Sequence, residues 1–347
     1  MTWIPDAALD HLREVASCPD LAGTRYDIIE PLGEGGMGAV YLALDRQLDR
    51  QVALKVVKDV ELAPDAAARL LREAQIIAKL EHPGIVPVHD VGHTPDGRTY
   101  YVMKRVRGRR LDEHFDALAP IVDRLRVFER ICETVAFAHA HAVIHRDLKP
   151  QNVMVGEFGE VLVLDWGVSK ALHPPDRNAA AATPGGPPSN AADDPLRTRT
   201  LATRHGAIIG TPAYMPPEQA RGDVEHVDER SDVYALGAIL YFLLTGQPPG
   251  PATGPDPPSP RKLNRGVSKP LDAISRTAMA ADPARRYHSA GQLAADIADL
   301  RGGRPVRAYR ESPLERVARI TWAYRAPILL VAAYLLMRVA LLFWPRR

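Results

Sequence analysis

The alternation of apolar and polar positions divides the chain into two parts. Residues 26–60 hold three β-rich runs, "YDIIEPLG", "AVYLALD" and "QVALKVVK", separated by glycine or charged turns, and these are read as strands. Residues 65–80, "DAAARLLREAQIIAKL", repeat their apolar positions with the period of a helix. Strands resume in "GIVPVHDVGH" and "TYYVMKRV", with "TPDG" as the turn between them. The first hundred residues therefore predict a small sheet with one helix.

After Gly108 the period becomes helical. "PIVDRLRVFERICETVAFAHAHA" is a long amphipathic helix, while "ERSDVYALGAILYFLLTG" (residues 229–246) is apolar nearly all round, as a helix at the centre of a lobe must be. "PLDAISRTAMA" and "SAGQLAADIADLR" predict further helices. Residues 1–24 form a leader in which Ala8, Leu9, Leu12 and Val15 have helical spacing, read as a surface helix packed on the next domain. Residues 173–195, rich in Ala, Pro, Asn and Gly, read as a disordered insertion. The proline-dense "QPPGPATGPDPPSP" cannot be a helix interior. Residues 326–344, "APILLVAAYLLMRVALLFW", carry one charge, Arg338, and are just long enough to span a bilayer.

Composition narrows the class without fixing it. The 347 residues suit two lobes plus extras, and an apolar fraction of 46% with 25% charged residues is that of an ordinary globular protein. A net charge of +2 gives no sign of nucleic acid as a partner. Cys18 and Cys132 are too few for a disulfide framework and fit a reducing compartment. "MTWIPDAALDHLREV" has acids where a secretory signal needs an apolar core.

The chemistry begins with one stretch. "VLVLDWGVSK" reads as a buried strand leading into an acid, and a buried acid is costly unless a metal ion or a cation offsets its desolvation. Elsewhere, "LGEGGMGAV" lies between two strands, and Gly33, Gly35 and Gly38 would let backbone N–H groups approach a phosphate. It precedes a strand, which argues against a Rossmann or P-loop site. Lys55 of "VALK" sits inside an apolar strand and needs an anion, which Glu73 of the following helix could supply; Glu73 taken alone also reads as a solvated surface charge. In "VIHRDLKPQNVMV", Asp147, Lys149 and Asn152 bring together a base, a phosphate-neutralising cation and a metal-binding amide. Phosphoryl transfer needs this set, because it depends on positioning and charge neutralisation. Asp165 then becomes a carrier of Mg²⁺, which answers the question of the buried acid.

With these residues in order, the chain resembles the eukaryotic-type (Hanks-type) serine/threonine protein kinases of bacteria. The Gly-rich loop, "VALK", the helix Glu, "HRDLKPQN", "DWG", "GTPAYMPPEQ", "SDVYALG" and "DPARRY" follow the kinase order over about residues 26–301. The resemblance implies an α+β, bilobal kinase fold with a β-rich N-lobe (26–106) holding one main helix and a larger, mainly helical C-lobe (107–301). It also implies ATP with Mg²⁺, or Mn²⁺ in its place, as cofactors.

By the same resemblance Leu32, Gly33, Gly35, Gly38 and Val40 cover the nucleotide, and Ala53 lines the adenine pocket. Lys55 contacts the α- and β-phosphates and pairs with Glu73. Met103 is the gatekeeper and Lys104 to Val106 the hinge. Asp147 accepts the substrate proton, Lys149 steadies the γ-phosphate, and Asn152 and Asp165 hold the metal. Glu218 pairs with Arg286, and Asp232 braces the catalytic loop. Arg146 meets a phosphate on the activation segment, with Thr198, Thr200 and Thr203 as candidate acceptors; plain loop threonines are the alternative. Thr211 shapes the substrate-binding loop. Protein Ser/Thr hydroxyls are the implied acceptors, with a homodimer for trans-autophosphorylation and no nucleic acid.

Three features depart from the family. Trp166 stands where Phe is usual, Pro217 replaces Ala before Glu218, and a docking helix after "LTGQPP" is absent or very short. A pseudokinase or an autophosphorylation-only scaffold therefore stays open as an alternative. Beyond the kinase region, residues 302–325 form a basic segment, and 326–344 are read as a C-terminal membrane span. Arg316, Arg319 and Arg325 would be its cytoplasmic flank, and Trp322, Tyr324 and Trp344 its interfacial anchors. An in-plane anchor and a helix packed on protein are the alternatives. The expected location is the inner membrane with the kinase region in the cytoplasm, or the cytoplasm itself.

Overall fold

Parity along the upper strands decides which side chains reach the cleft. In the computed structural model these strands are β1 (Tyr26–Gly35), β2 (Gly38–Asp45), β3 (Arg50–Val56), β4 (Val88–His93) and β5 (Thr99–Lys104), an antiparallel sheet ordered β1-β2-β3-β5-β4. The structure describes residues 19–35, 38–57, 64–118, 120–166, 170–171, 212–223, 226–251, 256–323 and 325–343. The leader helix, the 173–195 insertion, Thr198, Thr200, Thr203 and Thr211 lie outside them.

Val52, Leu54 and Val56 of β3 face outward with Tyr41 and Tyr100 into one small core. Alternate residues face the other way, because strand side chains have a period of two. There α1 (Pro64–Ala78) covers the sheet, burying Ala66, Leu70 and Ala74 against Val57 and Tyr101. The apolar spacing of this helix also turns Glu73 inward, to 2% exposure.

The lower lobe has α2 (Leu111–His114), α3 (Ile121–Ala140), α4 (Pro217–Ala220), α5 (Glu229–Thr245), α6 (Pro260–Leu263), α7 (Lys269–Ala278) and α8 (Ala290–Arg301). α5 is its axis: all fourteen residues 231–244 are buried. Gly237 lets α7 approach, since a Cβ there would lie 2.7 Å from that of Ala278. Between α5 and α7 the described residues hold one helix, the four-residue α6, in keeping with a very short element at the place of the expected docking helix. Short strands flank residues 145–152: β6 (Gly108–Arg110), β8 (Val153–Gly156) and β9 (Val161–Val163) form one sheet, and β7 (Val143–Ile144) pairs with β10 (Lys170–Ala171).

Two details differ from the pattern-based reading. β9 stops at Val163, so Asp165 stands two residues beyond the strand with φ 55°, in the left-handed region. The basic segment contains a helix, α9 (Pro313–Ala323), that was not expected. It is tied to the lower lobe by Lys269–Glu315 (2.6 Å) and by Arg319 Nη1 donating to Gly303 O (3.2 Å). α10 (Arg325–Phe343) follows. Among the described residues no helix is long and apolar enough to cross a membrane. The described side chains of α10 cover residues 329–339 and are all exposed.

Candidate active site

Across the upper sheet Val40 faces Lys55 and Lys55 faces Tyr101, while Leu42, Ala53 and Met103 form the next row. Directly paired residues share a face, so Val40, Ala53, Lys55 and Met103 are gathered on the cleft side. Ala53 is buried, Val40, Met103 and Val106 are half-buried, and Leu32 is exposed at the rim. The reason for glycine at position 38 is the sheet itself: a Cβ there would lie 2.3 Å from Val56 O. Gly33 has nothing within 4 Å of its Cβ position, and Gly35 ends β1.

The buried lysine has its anion. Lys55 Nζ lies 2.9 and 3.1 Å from the two Glu73 oxygens and 3.0 Å from Asp165 Oδ1. Tyr101 OH donates to Glu73 Oε1 at 3.0 Å and fixes the carboxylate from behind. Burial pushes Lys55 down, but Glu73 and then Asp165 outweigh it, so the ammonium titrates above its ordinary value. Asp165 is not the buried acid expected from the sequence, for its side chain is 59% exposed; desolvation by the surrounding protein pushes its carboxyl up, and Lys55, His145 and Lys149 together outweigh this and hold it below its usual range. Burial, then Glu73 and Asp165, push the Tyr101 phenol well up.

The second cluster stands on the loop after β7. Lys149 Nζ donates to Asp147 Oδ2 at 2.8 Å, and Asn152 Nδ2 donates to Asp147 O (2.7 Å) and Oδ2 (3.1 Å). Asp147 Oδ1 carries no hydrogen bond among the described residues. Leu164 N donates to Asn152 O at 2.8 Å, which brings the Asp165 segment beside Asn152. His145 ties the two stretches: its Nε2 donates to Leu164 O at 2.8 Å, while its Nδ1 accepts from Asp147 N at 3.3 Å. Trp166 packs on this imidazole, ring centroids 4.7 Å apart, and donates to Val163 O at 3.2 Å. The Phe-to-Trp departure thus adds one hydrogen bond to a packed slot.

The loop is braced from α5. Asp232 Oδ2 accepts from His145 N (2.8 Å) and His139 Nε2 (2.8 Å), and Oδ1 from Arg146 N (2.9 Å). Burial pushes Asp232 up, but His139 and His145 outweigh it and hold the carboxyl low. Arg146 and Asp165 are both non-glycine residues at positive φ, 70° and 55°. Such conformations cost about 1–3 kcal/mol each and persist where the surroundings over-determine them; here Asp232 and Lys55 do so.

Most of the expected site residues therefore meet: Val40, Ala53, Lys55, Glu73, Met103 and Asp165 at the upper side, Asp147, Lys149 and Asn152 below. Tyr101 and His145 went unassigned in the sequence reading. Strand parity places Tyr101 opposite Lys55 and could have found it. The imidazole link to Leu164 O joins residues 19 apart and leaves no local signal.

Asn152 and Asp165 offer two oxygen ligands, and no cluster of three or more His, Cys, Asp or Glu with metal-binding geometry occurs among the described residues. That set suits Mg²⁺, which takes one or two protein oxygens and completes its shell with phosphate and water.

This fold and this pair of clusters define a phosphotransferase lobe pair, and the comparisons agree. A family model for the protein kinase domain matches residues 26–267. The chain belongs to the protein kinase family, in its bacterial serine/threonine branch. It is similar to serine/threonine-protein kinase PknB of Mycobacterium leprae, 36% identical over 306 residues that cover 84% of this chain and 45% of the relative. It is also similar to PknD of Chlamydia caviae, 35% identical over 347 residues, covering 92% and 36%. The chain thus spans less than half the length of these two relatives. The crystal structure of the Mycobacterium tuberculosis PknI kinase domain overlays with a TM-score of 0.59 at 26% identity, covering 82% of this chain and 98% of that one. Helices α7 and α8 extend past the matched residues, yet Leu271, Ile274, Leu293 and Ile297 join the same core.

Proposed function

We propose that the chain is an ATP- and Mg²⁺-dependent kinase that phosphorylates protein Ser and Thr hydroxyls. The observation that carries this reading is the juxtaposition of Lys55–Glu73–Asp165 with Asp147–Lys149–Asn152. Asp147 uses its Oδ2 to hold Lys149 and Asn152, which leaves Oδ1 to accept the proton of the acceptor hydroxyl. As that hydroxyl oxygen bonds to the γ-phosphorus, the bond to the bridging oxygen of ADP breaks and the proton passes to Asp147. Lys149 neutralises charge on the transferred group, and Lys55, fixed by Glu73, orients the α- and β-phosphates. A bound Mg²⁺, held by Asn152 and Asp165, would neutralise phosphate charge. Met103, Val106, Ala53, Val40 and Leu32 would seat the adenine.

The proposal extends to regulation. Arg146 has two buried guanidinium nitrogens, Nε and Nη2, with no hydrogen-bond partner among the described residues. A phosphate on Thr198, Thr200 or Thr203 would satisfy them and order the segment, introduced in trans by a second copy. It extends also to location. The exposed apolar residues of α10, Leu329, Leu330, Leu335 and Leu336 among them, suit association with a bilayer better than with water.

The test is transfer of labelled γ-phosphate from Mg·ATP to Ser- and Thr-containing protein, with Lys55→Met and Asp147→Asn alongside. Label incorporated by the parent and lost in both variants supports the reading. Equal label in all three contradicts it. Flotation with lipid vesicles tests the bilayer part: the chain should float, and a form lacking residues 326–347 should not.

A further inference from the structure

Between β5 and α2 the chain runs Lys104, Arg105, Val106, Arg107, Gly108, Arg109, Arg110: five cations in seven residues. Lys104, Arg107, Arg109 and Arg110 are exposed and Arg105 is half-buried. Arg110 has a carboxylate partner, Glu113, at 2.8 Å, and Arg105 donates to the neutral amide of Gln51. The side chains of Lys104, Arg107 and Arg109 have no hydrogen-bond or ion-pair partner among the described residues. Nearby acids leave the patch open: Asp112 buries its Oδ1, and Glu157, just past Gly156 of β8, makes no ion pair with it. A surface this rich in unpaired cations is tuned for an anionic partner.

Its place says which anion it can reach. Tyr101 stands opposite Lys55, and Lys104 lies three residues further along β5, roughly 10 Å at about 3.3 Å per strand residue. The rim is therefore displaced from the Lys55–Asp165 end of the cleft and is not the phosphate cradle. On its other side β6 pairs with β8 in the register Arg110↔Met154, Arg109↔Val155 and Gly108↔Gly156. Met154 is two residues past Asn152, whose amide is bonded to Asp147. Two strand steps and one ladder spacing, at right angles to each other, put Arg110 roughly 8 Å from Asn152 beside the Asp147 loop, which an extended acceptor peptide covers in about two or three residues. Arg109 and Arg107 lie one and three positions further out.

We propose that this basic rim is the specificity surface of the kinase. It selects acceptor segments that carry Asp, Glu or phosphorylated residues about three to six positions from the Ser or Thr. The proposal rests on the kinase reading above and names the substrate class for the same site.

The experiment compares three peptides with one central Thr, flanked at those positions by Glu, Ala or Lys, using the full chain and an Arg107→Glu/Arg109→Glu double variant. Both residues are exposed and have no partner among the described residues, so the variant should fold as the parent does. Two or three exposed charge contacts correspond to about a tenfold preference in kcat/KM for Glu over Ala. That preference should be carried by KM, shrink as salt is raised, and reverse towards the Lys peptide in the variant, with the KM for ATP unchanged. Equal rates on Glu and Ala peptides by an active parent would overturn the inference and leave the kinase reading intact. So would tight binding of RNA or heparin by the parent alone, without peptide preference. No phosphorylation of any peptide, with ATP still bound, would overturn both.

Discussion

Two arginines of the lower lobe, Arg286 buried and Arg146 half-buried, are treated in opposite ways. Arg286 is fully buried and satisfied: it makes a two-pronged pair with Glu218 at 2.7 and 2.8 Å, donates to the carbonyls of Ala280, Arg230 and Ala281, and lies 5.0 Å from the ring centre of Tyr234. Arg146 has its backbone clamped by Asp232 and by Gln219, whose Nε2 donates to Arg146 O at 2.8 Å, yet two of its guanidinium nitrogens have no hydrogen-bond partner among the described residues. Burial pushes this guanidinium below its ordinary value, with Asp232 pulling the other way. A satisfied buried charge is architecture. An unsatisfied one costs stability until a partner arrives, so a position that keeps one is suited to a switch.

The largest expected effect falls outside both arginines and separates chemistry from scaffold. Asp147→Asn should lower the phosphoryl-transfer rate by about 10²–10⁴, the usual contribution of a positioned base, while the urea midpoint stays near that of the parent. Next comes the satisfied pair. Glu218→Gln leaves Arg286 buried without its counter-charge and should cost about 3–5 kcal/mol of unfolding free energy. Arg146→Met should behave in the reverse sense. Without phosphate on the segment it should be as stable as the parent or more so, and it should lose the added stability that phosphorylation gives the parent, both read in calorimetry. If Arg146→Met were as damaging as Glu218→Gln, the distinction between the two arginines would fail.

Acid sharpens the same contrast. For Glu218, burial pushes up, but hydrogen bonds from Arg286 and Ser231 outweigh it and lower the native value from 4.5. A lowered native value means stabilisation that is full above the unfolded value and lost as pH falls through the native one. The parent should therefore lose stability below about pH 4.5, and Glu218→Gln should flatten that limb in pH-dependent urea melts. The smallest effect belongs to Trp166→Phe, which removes the bond to Val163 O and should cost about 1 kcal/mol.

Much of this was legible in the sequence. Strand and helix periods gave the two lobes, and the order of "VALK", "HRDLKPQN" and "DWG" placed Lys55, Asp147, Asn152 and Asp165 together. Glu73 was ambiguous by itself, because a glutamate on a helix is usually solvated; the apolar stripe of α1 is what turns it inward. Asp165 was read at the end of a strand, but a left-handed backbone held by Lys55 ends the strand earlier, and no local pattern encodes that tertiary contact. Helix α9 has a readable apolar stripe in Leu314, Val317 and Ile320, but its arginines were taken as the flank of the apolar segment that follows, and its tie to Lys269 spans 46 residues. The unpartnered nitrogens of Arg146 are invisible in sequence, since burial and missing partners are properties of the fold.

The central claim is that the cleft is catalytic and that Arg146 awaits a phosphate made by this chemistry. Mapping of phosphorylated residues by mass spectrometry, after the full chain is incubated with Mg·ATP beside its Asp147→Asn variant, tests it most directly. Phosphate is expected on Thr198, Thr200 or Thr203 in the parent and none in the variant. Absence of phosphate in both, with ATP binding intact, would contradict it and leave a kinase fold serving as a scaffold.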